Sequence, residues 1–190
     1  MLTTRSPYFR YLAACNRPHL DHFKHWIFQP GMLFNSPGKW WGNHGARPEP
    51  HAGLDLCSFE EVHGAIKNLD RHTRIPAAFP GKIIKIAPDF LGKSIFIRHE
   101  IFDARGRRLY SAYGHTRPRD ALKVGAQVAA GEAVGTISSF SNPRLAVLPH
   151  LHLTFVWIPR GLDINDLNWD NMGKNSDITL IDPLLVLEIY

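Results

Sequence analysis

Cysteine is scarce in this chain of 190 residues: only Cys15 and Cys57 are present, and they form neither a Cys-X-X-Cys pair nor a zinc-finger spacing. Two cysteines are too few for a disulfide framework, and the sequence leaves open whether they pair. Long hydrophobic runs are also missing, because Arg10 and Pro18 interrupt the N-terminal region. We therefore expect no transmembrane segment, and no signal peptide is visible in the chain as it stands.

A strong excess of one charge is lacking as well. The chain has 22 Lys and Arg against 17 Asp and Glu, a formal net charge of +5, which favours encounters with polyanions without choosing among them. The basic residues are dispersed apart from an Arg-Gly-Arg-Arg turn at 105–108, so no nucleic-acid partner is expected. Nothing in the sequence demands more than a monomer.

Glycine and proline, by contrast, are plentiful, with 15 Gly and 14 Pro among short apolar runs. Three strand-like stretches follow Pro76, at residues 81–87, 94–99 and 108–115, and turn residues separate them. Two shorter glycine-bounded elements come after them. This pattern predicts a mostly β fold, a compact antiparallel sandwich or barrel.

Helices are predicted only ahead of these strands. Residues 8–14 and 20–28 have the composition of short N-terminal helices that prolines end. Between about 58 and 70, Ser58 is a candidate N-cap. The apolar residues behind it have helical spacing: Phe59, Val62, Ile66 and Leu69. We therefore predict one inserted helix there.

The segment 149–155 places two imidazoles inside an apolar run. In an extended strand, His150 and His152 project to one face, while Leu151 and Leu153 project to the other. Taken alone, such a pair is weak evidence, because two exposed or hydrogen-bonded histidines are a more frequent explanation than a metal site. The interpretation depends on whether further ligands occur elsewhere.

Residues 47–56 supply those ligands. The prolines and Gly53 favour an extended segment in which His51, Gly53 and Asp55 face the same way. The absent side chain at Gly53 would leave space for an ion or a substrate backbone. Together with His150 and His152, this segment offers enough nitrogen and oxygen ligands for a zinc site with a vacant position.

Three motifs, taken in order, carry a family resemblance. They are His51-Ala-Gly-Leu-Asp55, Tyr113-Gly-His115-Thr116 and Pro149-His150-Leu-His152-Leu. With them the chain resembles the lysostaphin-like (LytM, M23) zinc metallopeptidases, which are peptidoglycan endopeptidases. The resemblance covers about residues 43–160, which suggests an N-terminal extension at 1–42, a peptidase core at 43–160 and a C-terminal tail at 161–190 with a closing strand near 181–184.

The resemblance implies a division of roles among these residues. His51, Asp55 and His152 would bind Zn²⁺ and leave its fourth position to water, while His150 and His115 would act on the reacting groups. The implied activity is hydrolysis of peptide bonds in peptidoglycan stem peptides or cross-bridges, or in another flexible peptide, with a periplasmic or extracellular, cell-wall location. The chain has no His-Glu-X-X-His motif, so no helix-borne glutamate can serve as the base.

Other interpretations stay open at this point. The same fold could be a non-catalytic module that binds or regulates at the cell wall, although such relatives typically lose metal ligands. A lipoyl-type carrier domain would need a modifiable lysine at a hairpin tip, and nothing singles one out. If the chain is an enzyme, the candidates for the groove walls are Trp40, Trp41, Asn43 and Tyr113, with core packing as the alternative for each.

Overall fold

The computed structural model describes residues 5–139, 146–162 and 168–188, without the side chains of residues 170 and 171. The helices are α1 Tyr8–Cys15, α2 Trp169–Met172 and α3 Pro183–Val186, with a 3₁₀ turn at Pro30–Met32. The strands are β1 Phe23–Ile27, β2 Leu54–Leu56, β3 Ser58–Glu61, β4 Ile66–Asn68, β5 Arg74–Pro76, β6 Gly81–Asp89, β7 Gly92–Phe102, β8 Arg108–Pro118, β9 Gln127–Val128, β10 Ala133–Ile137, β11 Leu151–Ile158 and β12 Thr179–Ile181.

Most strands belong to one antiparallel sheet with the order β12-β11-β8-β7-β6-β9. Strand β2 adds to β11, and β10 joins β8 to β5. A smaller sheet has the order β1-β3-β4. The predicted mostly β, antiparallel class is confirmed, and the three predicted strands after Pro76 all lie within β6, β7 and β8. The sheets are not closed into a barrel.

Strand β11 has paired strands on both sides, and every one of its residues is buried. Leu151, Leu153 and Phe155 face the main hydrophobic cluster. The alternate residues Val156 and Ile158 pack in a second cluster on the opposite face of the sheet. The strand is therefore covered on both sides, which explains why its sequence is almost continuously apolar except at His152 and Thr154.

The predicted helix at 58–70 is wrong, because this segment is the hairpin of β3 and β4. Gly64 adopts a φ of +82°, which turns the chain and cannot occur inside a right-handed helix. Of the predicted apolar stripe, Phe59 is buried, but Val62 and Ile66 are 55% and 68% exposed. The helical spacing of these residues was therefore coincidental.

The second predicted N-terminal helix is wrong for a related reason. Residues 20–28 contain β1, whose Trp26 pairs with Phe59 of β3, so tertiary pairing overrides the local preference. The first predicted helix is confirmed as α1. Its residues Tyr8, Phe9 and Leu12 are buried in the main cluster, so the N-terminal region shares the core of the sheet, while the division of the chain at residue 42 stays a prediction.

The closing strand is shorter than predicted. Strand β12 ends at Ile181, after which the Asp182 side chain accepts a hydrogen bond from the backbone N–H of Leu184 and caps α3. Cys15 and Cys57 are both free thiols. Among the residues described, no helix is both long and apolar enough to cross a bilayer.

Candidate metal centre

The pairing of β2 with β11 creates the centre of the site. Asp55 lies directly opposite His152 in this antiparallel pair. Side chains at opposed positions point to the same face and are close neighbours. The Asp55 Oδ1 and His152 Nδ1 atoms are therefore only 2.8 Å apart, although the residues are 97 positions apart in the chain.

His51 joins this pair from a loop that is fixed by its own backbone. Its N–H donates to the Ser36 carbonyl, and its carbonyl accepts from the Asn35 N–H. Its Nδ1 lies 3.0 Å from the Leu33 carbonyl oxygen. Because a carbonyl can only accept, Nδ1 carries the proton, and the lone pair of Nε2 points to the centre.

His152 is held in the other tautomer, with its proton on Nε2. The Thr154 hydroxyl donates to the Ala52 carbonyl over 3.1 Å, so its oxygen accepts from His152 Nε2–H, which lies 2.9 Å away. The lone pair of His152 is consequently on Nδ1, which faces Asp55. Thus both histidines present an unprotonated nitrogen to the same point.

Three acceptor atoms therefore converge with no proton between them. His51 Nε2 is 3.1 Å from Asp55 Oδ1 and 3.0 Å from His152 Nδ1. Three electron pairs at this distance repel one another unless a cation lies between them. Ligands at about 2.0–2.2 Å around tetrahedral Zn²⁺ are about 3.3–3.5 Å apart. The three residues thus fit one face of a zinc tetrahedron after a separation of a few tenths of an ångström.

The second carboxylate oxygen of Asp55 has its own partners. Trp40 Nε1 donates to Oδ2 over 2.7 Å, and the Arg47 guanidinium lies 3.7 Å from the same oxygen. Outer contacts of this kind orient a ligand and leave its other oxygen available. Trp40 is only 5% exposed, so it holds the carboxylate and is not a groove wall.

The electrostatics of the cluster favour one anionic and several neutral ligands. The Trp40 N–H and the Arg47 guanidinium at Oδ2 favour the ionised form of Asp55. Burial lowers the pKa of both His150 and His152 to about 4. At neutral pH these two rings are therefore uncharged, which is the form that binds metals or accepts a proton.

His150 lies beside the cluster without completing it. Its Nδ1–H donates to the Leu148 carbonyl over 2.8 Å, which leaves Nε2 as the acceptor, 4.0 Å from Asp55 Oδ1. The Trp40 indole packs edge-on against its ring at 5.0 Å. His150 and His152 share one face as predicted, and only His152 has a nitrogen within contact distance of both His51 and Asp55.

His115 reaches the site through an irregularity in β8. Gly114 pairs with His152, so regular alternation would turn His115 to the opposite face. The register between β7 and β8 shifts at this point, and His115 has a φ of +62°. This bulge redirects the ring to 4.8 Å from the His150 ring.

Asp89 holds His115 in this strained position, although Pro88-Asp89 has only the sequence pattern of an ordinary turn. Its Oδ2 accepts from the His115 backbone N–H over 2.8 Å, and its Oδ1 accepts from the ring Nδ1–H over 3.2 Å. Ser94 also donates to Oδ2, and Trp169 Nε1 donates to the Ser94 hydroxyl. Burial opposes ionisation of Asp89, but the contacts with His115 outweigh it and lower its pKa.

Two further expectations need correction. A Cβ on Gly53 would lie 2.3 Å from the Leu153 carbonyl oxygen and 2.6 Å from the Thr154 hydroxyl, so β11 fills the space that was expected to hold an ion or substrate. Tyr113 is fully buried and accepts a hydrogen bond from the Ala78 N–H, so it is not a groove wall. Trp41, which packs against Phe90, is half-buried.

The five candidate residues thus meet in one place: His51, Asp55, His115, His150 and His152. Among the described residues, one group of three or more potential metal ligands is found, and it consists of His51, Asp55 and His152. Their individual roles stay predictions.

Comparisons with solved structures find several similar folds. The chain is similar to cbpa from L. salivarius REN at 18% identity, covering 85% of this chain and 87% of that one, with a TM-score of 0.47. It is similar to the catalytic domain of a mutant of EnpA, a prophage-encoded M23 protein from Enterococcus faecalis, at 24% identity, covering 71% and 86%, with a TM-score of 0.40. It is also similar to the antimicrobial peptidase lysostaphin from Staphylococcus simulans at 21% identity, covering 87% of this chain and 53% of that one, with a TM-score of 0.46.

The search of curated protein sequences finds no match. The family model described as peptidase family M23 matches residues 61–165. This span contains His115, His150 and His152 and begins after His51 and Asp55, which the fold brings back to the matched region. Because the match covers more than half of the sequence, the chain belongs to peptidase family M23.

Proposed function

We propose that this protein is a zinc-dependent endopeptidase that hydrolyses peptide bonds in the stem peptides or cross-bridges of peptidoglycan. The observation that carries this proposal is the convergence of three acceptor atoms within 2.8–3.1 Å of one another. Two of them belong to imidazoles whose protons are held on the far side of each ring. Such an arrangement is suited to a cation and to little else.

His51, Asp55 and His152 would hold the ion. When bound, Zn²⁺ supplies a Lewis acid and lowers the pKa of a water molecule in its open position to about 7. One carboxylate and two neutral imidazoles carry a total charge of −1, so the ion retains a net positive charge. The outer contacts from Trp40 and Thr154 keep the ligands in place.

His150 is our candidate for the base. Its Nε2 has no proton, because Nδ1–H is held by the Leu148 carbonyl. It faces the ligand cluster from 4.0 Å, within reach of a water molecule there. A proton taken up at Nε2 leaves an imidazolium next to the ionised Asp55, which provides a countercharge.

His115 is our candidate for the group that stabilises the developing oxyanion and protonates the leaving amine. Its Nδ1–H is held by Asp89, so Nε2 is the atom turned away from the carboxylate. Asp89 fixes the ring and offers a countercharge to its protonated form, as a carboxylate does for histidine in other hydrolases. The two rings lie side by side, and each can act on a different atom of the scissile bond.

The substrate and location are part of the same proposal. Peptidoglycan peptides are flexible and poor in large side chains, which suits a site that grips backbone next to the histidine cluster. The enzyme would act outside the cytoplasm, at the cell wall.

The test combines metal analysis with digestion of isolated peptidoglycan and mass analysis of the released peptides. We expect about one zinc per chain and peptide release that a chelator abolishes and added zinc restores. His152→Ala should retain no zinc and release nothing. His115→Ala should retain zinc and lose about 10²–10⁴-fold in rate.

His72→Ala provides the matched control, since His72 is an exposed histidine outside the site and its loss should change neither zinc content nor rate. A zinc-replete, active His152→Ala protein would show that the ligand assignment is wrong. Bound zinc without cleavage of any peptidoglycan would reject the proposed activity.

A further inference from the structure

A second charged site lies on the face of the sheet that carries the metal centre. Along β11, Val156 and Ile158 share the face of His152 and pair with Tyr110 and Arg108. These positions are four and six residues beyond His152. At about 3.3 Å per residue, they are roughly 13 and 20 Å from it.

At this end of the face there is a cavity of about 290 Å³. Its lining includes Ile84, Arg98, Arg108, Tyr110, Arg160 and Leu162. Three arginines, from β7, from β8 and from the turn after β11, thus line one small cavity. These three arginines are separated in the sequence and are brought together here by the fold.

The cavity is poorly neutralised by the described residues. The carboxylate nearest to the arginines is that of Glu100, which lies 3.8 Å from Arg98 and 3.4 Å from Arg108. Both distances exceed the 2.7–2.9 Å of a charge-assisted hydrogen bond. The Glu100 side chain is 68% exposed, so water screens these pairs.

Within the described part of the chain, Arg160 has an aromatic ring as its partner and no carboxylate. Its guanidinium lies 5.3 Å from the centre of the Phe102 ring, and Arg108 lies 5.0 Å from the same ring. Two like charges thus share one aromatic partner. Counting Glu100, the three arginines leave an excess of two positive charges around the cavity among the residues that the structure describes.

Two of these arginines also have an unsatisfied hydrogen-bond donor. The Nε atoms of Arg98 and Arg108 are buried and have no hydrogen-bond partner among the described residues. A guanidinium recognises a phosphate or carboxylate through paired N–H groups. The arginines therefore have both the charge and the donors that an oxyanion would use, and a small movement of each side chain would expose its Nε–H.

We propose that the cavity bounded by Arg98, Arg108 and Arg160 is an oxyanion-binding site, separate from the metal centre, that takes a phosphate or carboxylate group of the anionic cell-wall polymer. The polymer is inferred from the proposed function, whereas the oxyanion chemistry is independent of it. Met172 and Ile178 belong to the second cluster, together with Val156 and Ile158 of this face. The site would therefore hold the protein on its polymer while cleavage takes place at the other end of the face.

The first experiment titrates the zinc-free full-length chain with inorganic phosphate and, separately, with acetate, at constant ionic strength. The readout is the NMR signals of the arginine Nε–H groups and of Tyr110. The double variant Arg98→Gln/Arg108→Gln should bind at least about tenfold more weakly than the parent chain. Removing zinc ensures that the anions do not report on the metal centre, so this result is independent of catalysis.

The matched control is Arg17→Gln/Arg71→Gln, which removes the same charge from two exposed arginines elsewhere. It should bind phosphate like the parent chain. If both double variants weaken binding equally, only net charge matters and the proposed site is wrong. Arg98 and Arg108 are half-buried, so their replacement could disturb the fold, whereas Arg160 is exposed. Arg160→Gln therefore serves as a second test, and it should weaken phosphate binding several-fold.

A second experiment identifies the source of the oxyanion by sedimentation with cell-wall polymer before and after extraction of its phosphate-containing polymers. Loss of binding upon extraction assigns a phosphate ligand, and retained binding assigns a peptidoglycan carboxylate. In either case the Arg98→Gln/Arg108→Gln variant should bind less than the control. Equal sedimentation of the two variants would overturn the proposal even if peptidoglycan is cleaved.

Discussion

Thr154 offers a direct test of how the metal site is organised, because it touches a proposed ligand without itself being one. Its hydroxyl donates to the Ala52 carbonyl and accepts from His152 Nε2–H. Thr154→Val keeps the shape of the side chain and removes both hydrogen bonds. His152 then loses the contact that keeps its proton on Nε2 and its lone pair on the zinc side.

The expected loss can be estimated from this contact. Removing the hydrogen-bond partner of a metal-bound histidine typically weakens metal binding about 10–100-fold, which corresponds to about 1.4–2.7 kcal/mol. The zinc-free protein should also lose on the order of 1–3 kcal/mol of stability, because a buried carbonyl and a buried N–H are left unpaired.

Zinc affinity is best measured by competition with a chromogenic chelator, with urea unfolding of the zinc-free protein in parallel. Thr154→Ser retains the hydroxyl and loses only a methyl group, so it should bind zinc nearly as tightly as the parent chain. Equal affinity in the valine variant, or equal weakening in the serine variant, would refute the role assigned to the hydroxyl.

Two other predictions follow from buried polar contacts. Asp89→Asn should keep the bound zinc but lower kcat about 10–100-fold and alter the pH profile, since the ring of His115 loses its anionic partner; a normal pH profile would contradict this. His99 is buried between the Pro80 carbonyl and the Ser111 hydroxyl, and burial lowers its pKa from 6.5 to about 4. Between pH 6.5 and pH 4 the unfolded chain therefore binds a proton at His99 that the folded chain does not bind. The free energy of unfolding falls as the pH decreases through this interval, and His99 contributes on the order of 3 kcal/mol to the fall. Urea unfolding of His99→Gln should show a shallower fall than the parent chain, and parallel curves would reject the assignment.

The errors in the predicted fold share one physical origin. Between residues 58 and 70 the apolar residues fit a helix, but β1 supplies a strand edge that pairs with β3. The helix predicted at residues 20–28 is wrong because of the same pairing, since this segment contains β1. A periodicity argument considers one segment at a time, whereas hydrogen bonding between strands depends on two segments that are remote in sequence.

The sequence alone determined the types of residues available for a metal site and the face on which His150 and His152 lie, because strand alternation is a local property. Tertiary structure decided which atoms meet. The pairing of β2 with β11 set Asp55 against His152, the Leu33 carbonyl and Thr154 selected the tautomers, and the bulge at His115 turned its ring toward the site. The gathering of Arg98 from β7, Arg108 from β8 and Arg160 from the turn after β11 around one cavity is likewise invisible in sequence, since it arises from strand register over some sixty residues of chain.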